Sequence, residues 1–170
     1  MTEAPAILVR PGDEQDLPAL TAIYNHFVEH SVTTFDVERF TVEQRREWFS
    51  GYALTGPHRL LVGEVDGVVA GYATSAALRS KPAYLHSVET TIYCDPAATG
   101  RGLGTALYRE LLELLASADV HRAYAGIALP NEASERLHRR FGFREVGTYT
   151  EVGHKLGRWV DVRWYERPVP

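Results

Sequence analysis

The chain has 170 residues, is 45% hydrophobic and sets 18 Lys and Arg against 22 Asp and Glu, for a formal net charge of −4. That length and apolar content predict one domain with a sizeable core, and the mixed charge argues against a nucleic-acid partner, since the densest basic cluster (Arg136, Arg139, Arg140) fits the solvated face of one helix. No apolar run approaches the ~18 residues of a membrane span, no charged-then-apolar leader is seen, and the lone Cys94 rules out an internal disulfide or a cysteine metal cluster, so a cytoplasmic protein without metal is expected.

Ala6 to Arg10 is a short apolar run stopped by Pro11-Gly12 and predicts a first strand. Leu17, Leu20, Ile23, Tyr24 and Phe27 then recur at helical spacing. Glu29 to Phe40 is polar, β-branched and aperiodic, which predicts a loop whose Phe35 either walls a substrate site or simply packs. Thr41 and Gln44 form a capping box for a second helix carrying Val42, Trp48 and Phe49, which ends at Gly51 to Gly56.

Arg59 to Val65 and Val68 to Ala77, joined by Asp66-Gly67, read as a hairpin. Leu78 to Pro82 interrupts the pattern, and Ala83 to Cys94 is the longest β-type run. A third helix places Leu103, Leu107, Leu111, Leu114 and Leu115 on one face and ends near Ser117. His121 to Leu129 is the next strand, Asn131 opens the fourth helix, and Arg144 to Glu151 and Trp159 to Glu166 flank a turn at Gly153 to Gly157. The order β-α-α-β-β-β-α-β-α-β-β predicts an α/β protein with a mixed sheet.

Between the β-type run and the third helix lies a Gly-rich loop. Gly100, Gly102 and Gly104 leave main-chain N–H groups unobstructed at a helix mouth, where unpaired donors and the helix dipole favour an anion such as a diphosphate. A nucleotide-hydrolysing P-loop needs Lys followed by Ser or Thr after its last Gly, but Thr105-Ala106 follow here. A dinucleotide site needs an acidic residue closing the next strand, and Asp119 precedes that strand.

Thr99-Gly100-Arg101-Gly102-Leu103-Gly104 resembles motif A (Q/R-x-x-G-x-G/A) of the GCN5-related N-acetyltransferases, with Thr99 departing from the first position. Asn131 to Phe143 resembles that family's motif B, with Asn131, Ala133 and Gly142-Phe143 in register. The resemblance implies the acyl-CoA N-acyltransferase fold, a mixed and mostly antiparallel sheet of about seven strands flanked by about four helices. It further implies acetyl-CoA as cofactor, with its diphosphate on Gly100, Arg101, Gly102, Leu103, Gly104 and Thr105, Asn131 beside it, and its amides along the strand of Ile92, Tyr93 and Cys94. In that fold the strand before the loop splays from the one after it, here Ala83 to Cys94 and His121 to Leu129. Unpaired strand amides in such a gap need partners, which an amide-bearing cofactor supplies.

Acetyl transfer to an amine needs a base, oxyanion donors and a proton for the leaving thiolate. Glu89, an acid within an otherwise apolar and hydroxylic strand, is the base candidate. Many relatives have Tyr near the leaving thiolate where this chain has His138, so His138 or, less directly, Tyr108 is the acid. Cys94 has apolar neighbours and reads as an inert thiol rather than a nucleophile.

Three further segments are similar to the phosphinothricin and methionine sulfoximine N-acetyltransferases: Arg79 to Tyr84 with Ser87-Val88-Glu89, Gly126 to Asn131 with Leu137-His138, and the tail Gly153 to Val162, which matches G-x-K-x-G-x-W-x-D-V. This resemblance implies a homodimer and a small amino-acid substrate, with Arg79 and Lys81 as cations for its acidic groups and Tyr84 as a wall. His86 stands where relatives often carry Trp, which leaves the acceptor open. Another small amine, a protein N-terminus, or a non-catalytic role sensing acyl-CoA would keep the same cofactor motifs.

Overall fold

The computed structural model describes residues 5–170. The reading of the extreme N-terminus as leaderless falls partly outside them. Seven strands form one sheet in the order β1-β2-β3-β4-β5-β7-β6. They are β1 (Ile7–Pro11), β2 (Arg59–Val65), β3 (Val68–Ala77), β4 (Ser87–Cys94), β5 (Arg122–Ala128), β6 (Arg144–Lys155) and β7 (Arg158–Pro168). Four α-helices accompany them: α1 (Leu17–His30), α2 (Val42–Ser50), α3 (Leu103–Ala116) and α4 (Glu132–Arg140). This is the mixed, mostly antiparallel sheet and helix set expected, with β4 and β5 as its parallel pair. Among the described residues no helix is long and apolar enough to cross a membrane.

Helices cover both faces. The leucine stripe of α3 supplies Leu103, Leu107, Leu111 and Leu115, each at most 2% exposed, to a core with Leu61, Ala73, Val88, Ala123 and Tyr165. Each such side chain contributes on the order of 1.5–3 kcal/mol by leaving water. On the opposite face α1 and α2 close over Leu60, Val62 and Tyr72 with Leu20, Ile23 and Trp48. The predicted capping box is formed, Thr41 accepting from the Gln44 amide and the Gln44 side chain accepting from Thr41 N–H.

Two boundaries differ from expectation. The strand predicted from Ala83 begins only at Ser87, because Pro82 sets a short 3-10 turn over Pro82–Tyr84 that leaves Tyr84 and Leu85 exposed. The closing strands are longer than predicted and meet in a tight turn at Leu156-Gly157, both with positive φ, while register shifts near Glu145 and Glu151 absorb the extra residues of β6.

The β4–β5 pairing positions the site. The two strands pair only at Ser87–Arg122, Val88–Ala123 and Glu89–Tyr124. Beyond Glu89 they separate, so Thr90 to Cys94 on one side and Ala125 to Ala128 on the other face each other without a ladder. The splay lies between the two strands that the sequence pairs in this way.

Candidate active site

The gap opens into a cleft of about 510 Å³. Thr90 to Cys94 form one wall, Gly126 to Ala128 another, the Gly loop and first turn of α3 close one end, and α4 contributes Asn131, Ser134, Leu137, His138 and Arg140. Phe27 and Thr33, from α1 and the loop after it, reach the same cleft.

Gly102 is the N-cap of α3 at φ +90°, a conformation that L side chains adopt only with strain, and it offers no side-chain cap. The amides of Gly100, Arg101 and Gly102 bond to nothing among the described residues, and those of Leu103, Gly104 and Thr105 are first-turn donors without an intrahelical partner. Together they are a run of free main-chain donors at a helix mouth, a geometry that suits an anion. Thr99, at the departing position, donates its hydroxyl to the Pro96 carbonyl and so fixes the turn entering the loop. Arg101 pairs its side chain with Asp66 and is not among the residues lining the cleft.

Asn131 caps α4, its side chain accepting from the Ser134 amide at 3.2 Å. Ile92, Tyr93 and Cys94 line the cleft on the stretch of β4 that pairs with β3 but not with β5. The Tyr93 hydroxyl donates to the Thr33 carbonyl, tying β4 to the loop opposite. Burial pushes the Cys94 thiol up to about 12, which suits an inert cysteine.

Glu89 occupies the last paired position before the strands part. Its half-buried carboxylate has no hydrogen-bond partner among the described residues, and burial raises its pKa while the charge of Arg79 pulls it partly back. Thr90 and Thr91 line the cleft, and Glu89 stands just beyond its end.

His138 and Tyr108, weighed as alternatives from sequence, form one unit. The Tyr108 hydroxyl lies 2.7 Å from His138 Nε2, and His138 Nδ1 lies 2.7 Å from the Ser134 carbonyl. A carbonyl can only accept, so Nδ1 carries the proton and Nε2 accepts from Tyr108. His138 is 3% exposed, and burial holds its imidazole below the ordinary value against the opposing Ser134 bond. Thr90 Oγ1 sits 3.3 Å from the same hydroxyl, on the cleft wall. Tyr108 and His138 both line the cleft, with the Tyr108 hydroxyl set between Thr90 and the imidazole.

The expected substrate residues are not gathered in the cleft. Phe35 instead packs over Gly153. Arg79, Lys81 and Tyr84 lie in the exposed connection before β4, where Arg79 spans from the Leu78 carbonyl to the ring of Trp164 and alone reaches Glu89 electrostatically. Pro82 starts a 3-10 turn where a strand was predicted, so these side chains stand on an exposed connection and not on the cleft wall. Arg140, expected on a solvated face, lines the cleft, whereas its neighbours Arg136 and Arg139 pair with Glu132 and Glu135. Spacing held the clue: Ala133, Leu137 and Arg140 share the helix side that touches Gly104 through Leu137.

A sheet split beside a glycine cradle, with main-chain donors along the split, is the architecture of an acyl-CoA-dependent N-acyltransferase. Residues 20–143 match the model of the acetyltransferase (GNAT) family. The chain belongs to that family and is an acetyl-CoA-dependent N-acetyltransferase. It is 57% identical over 165 residues to a phosphinothricin N-acetyltransferase of Streptomyces coelicolor, covering 96% of each chain. It is 35% identical to an L-methionine sulfoximine/L-methionine sulfone acetyltransferase of Salmonella typhimurium, over 93% of this chain and 92% of that one. An acetyltransferase from Salmonella typhimurium solved with its cofactor acetyl-CoA superposes with a TM-score of 0.92 at 34% identity, over 97% of this chain and 95% of the other. The cradle described above fits such a cofactor: its diphosphate needs donors, which the loop offers, and its pantetheine amides need strand partners, which β4 leaves free.

Proposed function

We propose that this chain is one N-acetyltransferase domain that moves acetyl from acetyl-CoA to the amino group of a small amino acid of the phosphinothricin or methionine sulfoximine type, by direct transfer with Glu89 as general base. The observation that carries the reading is the position of Glu89, an unpartnered carboxylate of raised basicity at the vertex where β4 leaves β5. Names of relatives similar along nearly the whole chain support the substrate class.

The chemistry follows from the groups present. An α-amino group has a pKa near ~8 and arrives protonated at neutral pH, so it cannot attack until a base takes a proton. Glu89 stands just beyond the cleft and removes that proton through a water. The freed nitrogen attacks the thioester carbon, an N–C bond forms, and β4 amides at Ile92 to Cys94 hold the oxyanion. The C–S bond then breaks. Tyr108 gives its proton to the thiolate, and the acidic nitrogen of the tetrahedral species replaces it. His138, neutral and hydrogen-bonded at both nitrogens, positions the Tyr108 hydroxyl. Arg79, beside Glu89 and over Trp164, is the cation offered to the substrate carboxylate.

The enzyme is proposed to work as a homodimer. Val146, Tyr149, Val152, Leu156 and Trp159 are each more than half exposed along the β6–β7 hairpin, at the open edge of the sheet. A second copy covering that edge would remove both the apolar surface and the unpaired strand.

Thiol release measured with acetyl-CoA and a panel of amines tests the reading. Selective turnover of phosphinothricin or methionine sulfoximine is expected. Preference for an unrelated amine or peptide N-terminus would replace the acceptor, and tight acetyl-CoA binding without turnover of any amine would leave only a sensor.

A further inference from the structure

In β6 only Gly153 and Lys155 are buried; the other ten residues are exposed. Both face one target, the loop of residues 31–41 between α1 and α2. The Lys155 ammonium is 4% exposed and donates to the Thr34 carbonyl at 2.8 Å and the Phe27 carbonyl at 3.3 Å. Two residues back, Gly153 leaves room for the Phe35 ring; a Cβ there would lie 2.3 Å from Phe35 Cζ. The edge strand thus grips residues 34 and 35 of the loop and the last turn of α1.

A buried ammonium is an expensive way to fill space, since an apolar side chain of that length would avoid its desolvation. The lysine does what an apolar residue cannot. Phe27 O already accepts from the Ser31 amide at the helix end, and Lys155 takes a second lone pair of the same oxygen, acting as a C-terminal cap supplied from a distant strand. No carboxylate among the described residues bonds the ammonium: Asp36, the acid that acts on it through charge, already accepts from the Tyr24 hydroxyl. Both bonds go to main-chain carbonyls, so they fix backbone position whatever side chains the loop carries.

That backbone is part of the cleft. Phe27 lines it, and Thr33, adjacent to Thr34, lines it too while accepting from the Tyr93 hydroxyl of β4. Asn25 holds the far end of the loop by bonding both the amide and carbonyl of Phe40. The loop is thus tied at its far end by Asn25 and in its middle by Tyr93 and by Tyr24, which bonds Thr34 and Asp36, and the β6 contacts add the hold on the Thr34 backbone next to Thr33.

We propose that Lys155 is a positioning residue that, with Gly153, latches the 31–41 loop against β6 and thereby sets the acceptor-side wall of the cleft at Phe27 and Thr33. The latch uses the proposed function only to choose the acceptor; its structural consequence is read without any substrate. Two measurements test it on the full chain: hydrogen exchange at amides 31–40, and steady-state constants for whichever amine the wild-type enzyme turns over, with acetyl-CoA affinity alongside. Lys155→Met keeps the stem and loses the donors. It should speed exchange across residues 31–40 while leaving amides of the Gly loop unchanged, and raise acceptor KM by about tenfold or more with acetyl-CoA affinity within about twofold. A variant with the same loss of global stability but an intact latch would show no such split between acceptor and cofactor. If Lys155→Met does not fold, Gly153→Ala decides, because its methyl displaces Phe35 and should produce the same pattern. Folded variants with unchanged exchange at 31–40, or with acceptor and cofactor constants rising together, would overturn the proposal. If the wild-type enzyme acetylates nothing in the amine panel, the acceptor reading fails while the exchange comparison still decides the latch.

Discussion

The Gly-loop wall of the cleft and the opposite wall at Phe27 and Thr33, proposed above to face the acceptor, are held by different kinds of contact. On the Gly-loop side the donors are consecutive main-chain amides from Gly100 to Thr105, shaped by positive φ at Gly100 and Gly102 and backed by the leucine stripe of α3. On the other side Phe27 and Thr33 are held by segments distant in sequence: β4 through Tyr93 to Thr33, and the end of β6 through Lys155 to Thr34 and Gly153 under Phe35. The first wall is local and made of backbone, so a substitution there acts through conformation. The second is long-range and made of side chains, so single replacements can move it without disturbing the cradle.

The sharpest test of that division lies at the vertex between the two walls. Glu89→Gln should lower kcat roughly 10² to 10⁴-fold at pH 7 with acetyl-CoA affinity nearly unchanged. Since burial raises the carboxylate's pKa, the acidic limb of the wild-type kcat/KM profile should lie above the ordinary carboxylate value, with activity gained as pH rises through it. The variant should lose that limb, and its deficit should shrink toward pH 9 as free amine accumulates. A constant deficit would return Glu89 to a structural role. Because Arg79 pulls the pKa down, Arg79→Ala should shift the same limb upward and raise acceptor KM.

Tyr108→Phe removes the proposed acid while leaving the ring in its core, and kcat should drop about 10²-fold with both substrate constants little altered. An equal drop in His138→Gln with Tyr108 intact would show that the pair works as one unit; normal rates in Tyr108→Phe would hand the role to another donor. For the cofactor wall, Gly102→Val should raise the acetyl-CoA dissociation constant about tenfold, equivalent to about 1.4 kcal/mol, measured by calorimetry, with the acceptor preference unaltered. A normal constant in the folded variant would remove the loop from the site. The smallest effect is expected for Arg140→Gln, about two- to fivefold in acetyl-CoA affinity and fading at high salt, because the residue is exposed.

The same division explains what could be read from the chain in advance. Strand, Gly loop and helix are written in neighbouring residues, as are the Asp66-Gly67 hairpin and the Thr41 capping box, and each formed where local pattern placed it. Phe35 was legible as a residue held against something, but its partner Gly153 lies far along the chain. Lys155 stands out in the sequence as the lysine of the G-x-K-x-G-x-W-x-D-V tail, but its partner does not; only the fold shows its ammonium meeting a loop more than a hundred positions earlier. His138 and Tyr108 sit on separate helices, and no periodicity reports that their side chains meet. The start of β4 was misplaced for a local reason: aromatic and apolar residues after Pro82 favour a strand, yet the proline ring begins a 3-10 turn instead.

The proposed recognition of the diphosphate by amides has a bearing on how such an enzyme changes over time. Every residue has an amide except proline, so positions such as Arg101, whose side chain turns away to Asp66, can be substituted with the anion cradle intact. The demanding positions shrink to those that need a positive φ or close helix packing. A lineage carrying this loop can therefore sample many acceptor walls while its hold on acetyl-CoA stays constant, and new amine preferences can arise without passing through forms that have lost the cofactor.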